Sequence, residues 1–200
     1  MKSARALTSS IAAQPAAYDL IQWAVGAGFV NRRVSRALAA VTGVLLDVGA
    51  GTGLKADLRP PASTYIALDL DPAKLRRLRA GHPGTPGALG DATRLPIRSG
   101  SCAAVLLKAV VHHLDDGQLE DLLHEARRVL APGGRLVVLD PVWAPRRSLG
   151  RLLWAGDRGS YPRRPEELAG AVARHFRIAE RQSFAILHRY ALLVAEAPLS

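Results

Sequence analysis

The stretch Val44-Leu45-Leu46-Asp47-Val48-Gly49-Ala50-Gly51-Thr52-Gly53 joins an apolar run to a glycine-rich loop. The run is apolar except for Asp47, which predicts a short strand buried on both faces. The glycines that follow allow a tight turn and a close approach of a ligand to the backbone. The stretch therefore predicts the first strand of an α/β domain, with a binding loop at its carboxyl end.

The rest of the chain alternates short apolar runs with amphipathic stretches, the pattern of parallel strands joined by crossover helices. We expect further strands at 64–70, 86–89, 103–107 and 135–139. We expect helices at 15–40 with a break near 26–28, and at 72–80, 118–130, 146–155 and 165–175. Two β-like stretches, 177–184 and 189–196, have no helix between them and should form an antiparallel pair at the sheet edge.

The composition is that of one globular domain. The chain has 200 residues, of which 48% are hydrophobic and 22% charged, enough for a full core. No apolar run is long enough to span a bilayer, and no signal peptide is evident. Cys102 is the only cysteine, which excludes an internal disulfide and a cysteine zinc site. We expect a cytoplasmic protein.

The net charge of +10 raises the question of a nucleic-acid partner. The excess is mostly arginine, scattered in pairs along the chain without a dense basic tail. Aromatic residues make up only 5%, too few for a stripe of rings interleaved with the basic residues. We therefore interpret the charge as a solvated surface, and a nucleic-acid partner is disfavoured.

Two acids follow later strands, at the edge where parallel sheets bind ligands. Asp69 ends the second strand, where a carboxylate can accept hydrogen bonds from both hydroxyls of a ribose. The alternative is that Asp69 caps the helix beginning at Pro72, but Asp71 fits that role and leaves Asp69 free. In Gly90-Asp91-Ala92 a carboxylate stands beside a backbone amide, which matches the polar edge of adenine. An ordinary turn aspartate is the alternative there.

Five motifs in order resemble the class I S-adenosylmethionine-dependent methyltransferases, in the broad small-molecule branch. They are residues 46–53, 67–72, 90–92 with 95–96, 110–114 and 130–136. The resemblance implies a Rossmann-like, doubly wound sheet of seven strands, mostly parallel with an antiparallel C-terminal hairpin. It divides a single domain, 1–200, into an N-terminal helical cap (1–42), a cofactor-binding core (43–140) and acceptor-side helices with the terminal hairpin (141–200).

The same resemblance implies which residues hold S-adenosyl-L-methionine. Asp47 would orient the loop and bind the methionine amino group, directly or through water, and the glycines would lie under the methionine and ribose. Asp69 would hold the ribose hydroxyls, with Leu70 against the adenine. The implied cofactor residues are Tyr18, Asp47, Gly49, Ala50, Gly51, Gly53, Asp69, Leu70, Asp91, Ala92 and Lys108.

Two of these assignments have a structural alternative. Tyr18 lies on the N-terminal helix, which often forms the lid in this family, but core packing explains it equally well. Lys108 replaces the usual small or polar residue at the end of the fourth strand, and we expect its backbone to lie near the cofactor while its side chain points away.

His112 and His113 follow the fourth strand, where a general base could reach an acceptor. A histidine pair recurs there across the family, so packing and hydrogen bonding are the favoured alternative, and a metal site lacks further ligands. Arg163 and Arg164, after the fifth strand, could bind an acidic group, but solvated surface arginines are favoured.

The expected function is transfer of a methyl group from S-adenosyl-L-methionine to a small organic acceptor. A methyltransferase acting on RNA and a non-catalytic, cofactor-binding partner subunit remain as alternatives. A nicotinamide enzyme is disfavoured, because the GxGxxG fingerprint needs a glycine where Leu54 stands. The sequence leaves open the acceptor, the oligomeric state and a peripheral membrane contact of the N-terminal helix.

Overall fold

The computed structural model describes residues 27–53, 58–144, 161–186 and 189–198. Within these ranges the elements are α1 (Ala27–Leu38), β1 (Gly43–Val48), β2 (Ser63–Asp69), α2 (Pro72–Gly81), β3 (Gly87–Leu89), β4 (Cys102–Lys108), a short 3-10 turn (Val111–His113), α3 (Asp116–Val129), β5 (Leu130–Val142), α4 (Pro165–Ala173), β6 (Arg177–Ala185) and β7 (Arg189–Glu196).

The strands form a seven-stranded sheet in the order β3-β2-β1-β4-β5-β7-β6. The first five in this order pair in parallel. Strand β7 runs antiparallel between β5 and β6, so β6 lies at the edge. The predicted mostly parallel sheet with a reversed final hairpin is confirmed.

Helices cover both faces of this sheet. Alternate strand residues point to opposite faces, so Leu45 packs with α1 and α2 whereas Leu46 packs with α3 and α4. We call these the α1/α2 face and the α3/α4 face. Because both faces are covered, the last four residues of β1 are buried. The continuous apolar run in the sequence is the result of this burial.

The helix boundaries follow from local capping. Asp71 accepts a hydrogen bond from the backbone N–H of Ala73 at 2.7 Å, and Pro72 takes the first helical position of α2, as predicted. Helix α3 begins at Asp116 rather than at the predicted Gln118. The reason is a capping box, in which Asp115 and Gln118 each bind the other's backbone N–H.

Strand β5 is longer than the predicted 135–139. At its carboxyl end it continues because β7 pairs with it as far as Val142, opposite Arg189. The predicted helix at 146–155 lies outside the described residues, as do Tyr18 and the part of the N-terminal helix before residue 27. Among the helices of the described ranges, none is both long enough and apolar enough to cross a bilayer.

Candidate functional site

The predicted site residues lie along the carboxyl edge of the sheet. The chain passes from β1 to β2 and β3 on one side and then crosses to β4 on the other side of β1. The strand order therefore reverses between β1 and β4, and a crevice at such a point is where open α/β sheets bind ligands. The loops after β1, β2, β3 and β4 all end at this edge.

The glycine loop has a backbone that only glycine adopts readily. Gly49, Gly51 and Gly53 have φ angles of +67°, +64° and +91°. A Cβ atom added at Gly49 would lie 2.4 Å from a methyl group of Val110, whereas one added at Gly51 would meet no atom within 4 Å. Gly49 is thus required by packing against the loop after β4, and the surface at Gly51 is open to a ligand.

Ala50 ties this loop to the neighbouring strand. Its N–H donates to the carbonyl of Leu68 at 2.9 Å, and its own carbonyl accepts from the N–H of Gly53 at 3.3 Å. Its side chain is buried on the α1/α2 face. Ala50 therefore closes the turn of the loop through its backbone. Gly49 and Gly51, on either side of it, are partly exposed.

As predicted, Asp69 does not cap α2, but both of its oxygens accept backbone N–H groups, which the sequence did not predict. Its Oδ2 accepts the N–H of Gly51 at 2.8 Å, and its Oδ1 accepts the N–H of Asp71 at 2.9 Å. Lys74 places its ammonium 3.9 Å from Oδ1. The positive φ angles of the glycine loop direct the N–H of Gly51 toward the carboxylate of Asp69. The pattern of apolar residues in the strands does not predict this contact. Each carboxylate oxygen has a second lone pair, so Asp69 can still accept a ribose hydroxyl.

Two large apolar side chains are exposed beside Asp69. Leu70 is 70% exposed and Leu89 is 58% exposed. Leu89 ends β3 opposite Asp69 in the register, so the two leucines flank neighbouring strand ends. Apolar side chains at the rim of a polar cleft provide a surface for an aromatic ring. The role of Leu70 against adenine stays a prediction that this exposure fits.

Asp91 forms a local turn, which was the alternative interpretation for it. Its Oδ1 accepts from the N–H of Thr93 at 2.8 Å and from the Thr93 hydroxyl at 2.9 Å. The loop that follows is held by α3, where Glu125 accepts the N–H of Leu95 at 2.8 Å and Arg128 donates to the Leu95 carbonyl at 2.9 Å. These bonds fix the place of Asp91 and Ala92, and their contact with adenine stays a prediction.

Asp47 lies beneath the glycine loop and is fully buried. Its Oδ2 accepts the hydroxyl of Tyr65, on the adjacent strand β2, at 2.6 Å. Burial, together with the carboxylate of Asp47, raises the pKa of Tyr65 far above its ordinary value. Tyr65 therefore remains a hydrogen-bond donor and anchors Asp47, whose contact with the cofactor stays a prediction.

The turn that carries the histidine pair is anchored by Asp140. Oδ2 of Asp140 accepts the N–H groups of Val110 and Val111 at 2.9 and 2.8 Å. Oδ1 accepts the N–H of His112 at 3.2 Å and lies 2.7 Å from His112 Nδ1. Sequence reasoning assigned Asp140 no role. The available signal was an acid at the end of an otherwise apolar strand.

The two histidines have different environments. His112 is buried, with a relative exposure of 5%, and its contact with Asp140 supports the packing and hydrogen-bonding interpretation. His113 is exposed, and its ring centroid lies 4.0 Å from that of His112. A proton on Nδ1 of His112, held by Asp140, leaves Nε2 as the acceptor nitrogen of that ring.

Arg163 holds the same turn from the outside. It donates to the carbonyls of Val111 and Leu114 at 3.1 and 2.8 Å, and to Oδ1 of Asp116 at 2.7 Å. Its side chain is only 10% exposed, so the prediction of a solvated arginine is wrong at this position. A short 3-10 turn leaves carbonyl groups unpaired, and a buried guanidinium satisfies several of them at once.

Lys108 directs its side chain toward the N-terminal helix, where its ammonium donates to Asn31 Oδ1 at 2.8 Å. The next residue, Ala109, has a φ of +56°, a conformation that L-residues rarely adopt. Its N–H donates to the carbonyl of Leu139 at 2.9 Å, which holds the bend in place. The backbone after β4 is thus turned sharply at the edge where the acceptor is expected.

Residues 46–138 match the family described as a methyltransferase domain. A demethylmenaquinone methyltransferase of Streptomyces avermitilis is 33% identical over 109 residues, which cover 52% of this chain and 46% of that protein. An uncharacterised methyltransferase of Mycobacterium tuberculosis is 38% identical over 116 residues, covering 58% and 44%. The chain thus spans about half the length of these curated relatives.

The fold is also shared with solved structures. A SAM-dependent methyltransferase of Methanosarcina mazei superposes with a TM-score of 0.69 at 16% identity, covering 80% of this chain and 94% of that one. At this identity the likeness concerns the fold alone, and the sequence match covers the glycine loop and the motifs after it. Residues 46–138 therefore carry a methyltransferase domain, in agreement with the resemblance of the motifs.

Proposed function

We propose that the protein binds S-adenosyl-L-methionine at the carboxyl edge of β1, β2 and β3 and transfers its methyl group to a small organic acceptor. The observation that carries the proposal is the bond between Gly51 and Asp69. This hydrogen bond joins the exposed backbone of the glycine loop to a carboxylate whose remaining lone pairs can accept hydrogen bonds from ribose hydroxyls.

Described residues at this edge support the proposed binding of the ribose and the adenine. Gly51 offers open backbone surface beneath the bound molecule. Asp69 offers lone pairs for the ribose hydroxyls, and Leu70 offers an exposed apolar side chain for the adenine. Oδ2 of Asp91 makes no hydrogen bond within the described ranges, so it can accept the adenine amino group.

The cofactor, when bound, supplies a methyl group activated by a sulfonium. The task of the chain is then to align an acceptor atom with that methyl group and to exclude water. Alignment of this kind contributes roughly 7–11 kcal/mol to lowering a reaction barrier. We assign this alignment to the backbone of residues 108–113, which Asp140 and Arg163 hold in one conformation.

A hydroxyl acceptor also requires removal of its proton. A carboxylate can only accept, so Asp140 accepts the Nδ1 proton of His112 and orients that buried ring. His113 is exposed, and its ring lies against that of His112. We therefore propose that the histidine pair supplies the base for a hydroxyl acceptor, with His112 orienting the exposed His113.

The relatives suggest which acceptor to test first. Among the matched proteins, those of Streptomyces avermitilis, Beutenbergia cavernae and Thermus thermophilus are named demethylmenaquinone methyltransferases. We propose a lipophilic ring with a nucleophilic carbon or hydroxyl as the acceptor class. RNA remains the rival acceptor because of the net charge of +10.

Calorimetry with S-adenosyl-L-methionine and with NAD tests the cofactor. We expect saturable binding of the first and none of the second, and binding of NAD alone would contradict the proposal. Radiolabelled S-adenosyl-L-methionine then tests the acceptor, with a demethylmenaquinone analogue, a set of phenols and total RNA offered in parallel. If the radiolabelled methyl group appeared only in RNA, the small-molecule proposal would be wrong and RNA would be the acceptor.

A further inference from the structure

The helices of the two sheet faces differ in charge. On the α1/α2 face, neither helix contains an acidic residue. Their basic residues are Arg32, Arg33 and Arg36 on α1, and Lys74, Arg76, Arg77 and Arg79 on α2. On the α3/α4 face the helices are mainly acidic, with Asp116, Glu120, Asp121, Glu125, Glu166 and Glu167 against Arg127 and Arg128. The positive charge is therefore concentrated on one side of the fold.

Many arginines away from the α1/α2 face are neutralised by nearby carboxylates. The ion pairs are Arg128–Glu125, Arg163–Asp116, Arg174–Glu120, Arg177–Glu196 and Arg181–Glu166. By contrast, Arg32, Arg36, Arg76 and Arg77 are exposed, and no carboxylate in the described ranges lies within 4.0 Å of them. Arg32 and Arg36 are four residues apart on α1, and like charges at this spacing repel and destabilise a helix slightly.

The two basic helices present a broad and shallow surface. Helix α1 packs against β5, and α2 packs against β2 and β3. Strands β2 and β5 are three positions apart in the sheet, which is roughly 14 Å at the usual strand spacing. Both helices bury their apolar side chains against the sheet, Val34 and Leu38 on α1 and Leu75 and Leu78 on α2. Their arginines therefore point outward over a wide area.

We propose that this basic face, defined as the outer surface of α1 and α2, docks onto an anionic phospholipid surface. A planar layer of phosphate headgroups matches cations that are spread over two separate helices rather than lined along a groove. Single-stranded nucleic acid would also require exposed rings on which bases stack. Phe29, the aromatic residue of these helices, is 39% exposed, but its ring packs edge-on against Phe184 and lies 3.9 Å from the guanidinium carbon of Arg33. A single ring held in this way does not form a series on which successive bases stack.

The inference goes beyond methyl transfer and does not depend on it, so it is tested without cofactor or acceptor. The full chain is mixed with vesicles of phosphatidylcholine, or of phosphatidylcholine with phosphatidylglycerol, and bound protein is measured by flotation at low and high salt. We expect binding only to the anionic vesicles and its loss at high salt, because salt screens exposed charges.

The variants locate the surface. R32Q/R36Q and R76Q/R77Q each remove two charges from the basic face, and each should weaken vesicle binding by about tenfold or more. The matched control is R98Q/R127Q, which removes the same charge from exposed positions on the other side of the sheet. All of these side chains are exposed, and circular dichroism verifies that each variant folds.

Three results would overturn the inference. The first is that the wild-type chain does not bind anionic vesicles at low salt. The second is that R98Q/R127Q loses as much binding as the two basic-face variants, which would make net charge rather than this face responsible. The third is that an RNA oligonucleotide binds more tightly at the same salt concentration and displaces the protein from the vesicles.

Discussion

Gly51 donates its backbone N–H to Oδ2 of Asp69 over 2.8 Å, so the loop after β1 and the acid that ends β2 form one unit. Gly51 lies in the loop after β1 and Asp69 ends the neighbouring strand β2, so the bond places the open surface of the glycine loop beside a carboxylate. A ligand that contacts one of them necessarily approaches the other. The predictions below begin with this pair and move outward to the groups that support it.

Replacing Asp69 should weaken cofactor binding. Asp69→Ala removes a charged acceptor for the ribose and the partner of the Gly51 N–H. A hydrogen bond to a charged group contributes about 1.5–3 kcal/mol, so we expect affinity for S-adenosyl-L-methionine to fall at least tenfold. Calorimetry measures it, with Asp121→Ala, an exposed acid on α3, as the control. Unchanged affinity would remove Asp69 from the site.

Two alanine substitutions in the glycine loop should have different effects. Both Gly49→Ala and Gly51→Ala place a Cβ in a left-handed backbone, which costs roughly 1–2 kcal/mol. Gly49→Ala adds the 2.4 Å clash with Val110 and should lower the free energy of unfolding more. Gly51→Ala should instead lose more cofactor affinity, because its new methyl group enters open space at the site. Urea unfolding and calorimetry on both variants test this, and the reverse order would contradict it.

Asp140 should be the most costly single polar residue to remove from the acceptor side. Asp140→Ala leaves three backbone N–H groups and the ring of His112 without their buried acceptor. Breaking a buried charged network typically costs about 3–5 kcal/mol. Chemical denaturation should show a loss of this size. A loss below about 1 kcal/mol would mean that the turn finds other partners, at odds with the cost of unpaired buried groups.

Arg163 and its neighbour Arg164 form a matched pair for mutagenesis. Arg163→Ala removes donors to the carbonyls of Val111 and Leu114, and we expect a loss of about 1–3 kcal/mol in the free energy of unfolding. Arg164→Ala should change stability by less than about 0.5 kcal/mol, because that side chain is exposed and its backbone N–H, which binds Glu167, is retained. Thermal or urea unfolding compares them, and equal effects would contradict the assigned role of Arg163.

The pair of Glu125 and Arg128 should make stability depend on acid pH. The hydrogen bond from Arg128, and to a smaller extent the N–H of Leu95, hold the pKa of Glu125 below its ordinary value. Because the pKa of Glu125 is lower in the folded state, its ionised form stabilises the fold. This contribution to the free energy of unfolding is complete above the unfolded-state pKa of about 4.3, and it is lost as the pH falls through the folded-state pKa. The difference in unfolding free energy between the wild type and Glu125→Gln should therefore be constant near neutral pH.

Below about pH 4 the same difference should shrink, because both chains then carry a neutral side chain at position 125. Urea unfolding at a series of pH values measures it. Arg127→Gln, on the exposed side of the same helix, serves as a control whose difference from the wild type should not follow this profile. A difference that grows as the pH falls would reverse the sign argued here.

The family, the fold class and most element boundaries were predictable from the sequence. Apolar runs, the cap at Asp71 and the left-handed glycines depend on residues only a few positions apart, so local pattern is enough to identify them. Helix α3 begins two residues before its predicted start at Gln118, because Asp115 and Gln118 form a capping box. That motif is also a local signal and could have been recognised in the sequence.

The partners of the site residues were less predictable. Asp71 rather than Asp69 caps α2, as predicted, but the backbone N–H groups that Asp69 accepts were not predicted, and the interpretation of Arg163 as solvated was wrong. In each case the partner is a backbone group brought close by the loop geometry at the sheet edge. Such groups carry no signature in the sequence, because every residue has the same N–H and carbonyl.

The sequence by itself determined that this chain forms an α/β fold with a glycine loop after its first strand. Hydrophobic periodicity and the positions of the glycines specify the conformation of a single strand, helix or loop, so they can be read locally. Only the tertiary structure decided that Asp140 anchors the histidine turn and that the two basic helices α1 and α2 cover the same face of the sheet. Those relationships depend on β4 lying between β1 and β5 and on which sheet face each helix covers. They are set by the packing of elements distant along the chain, which local patterns do not encode.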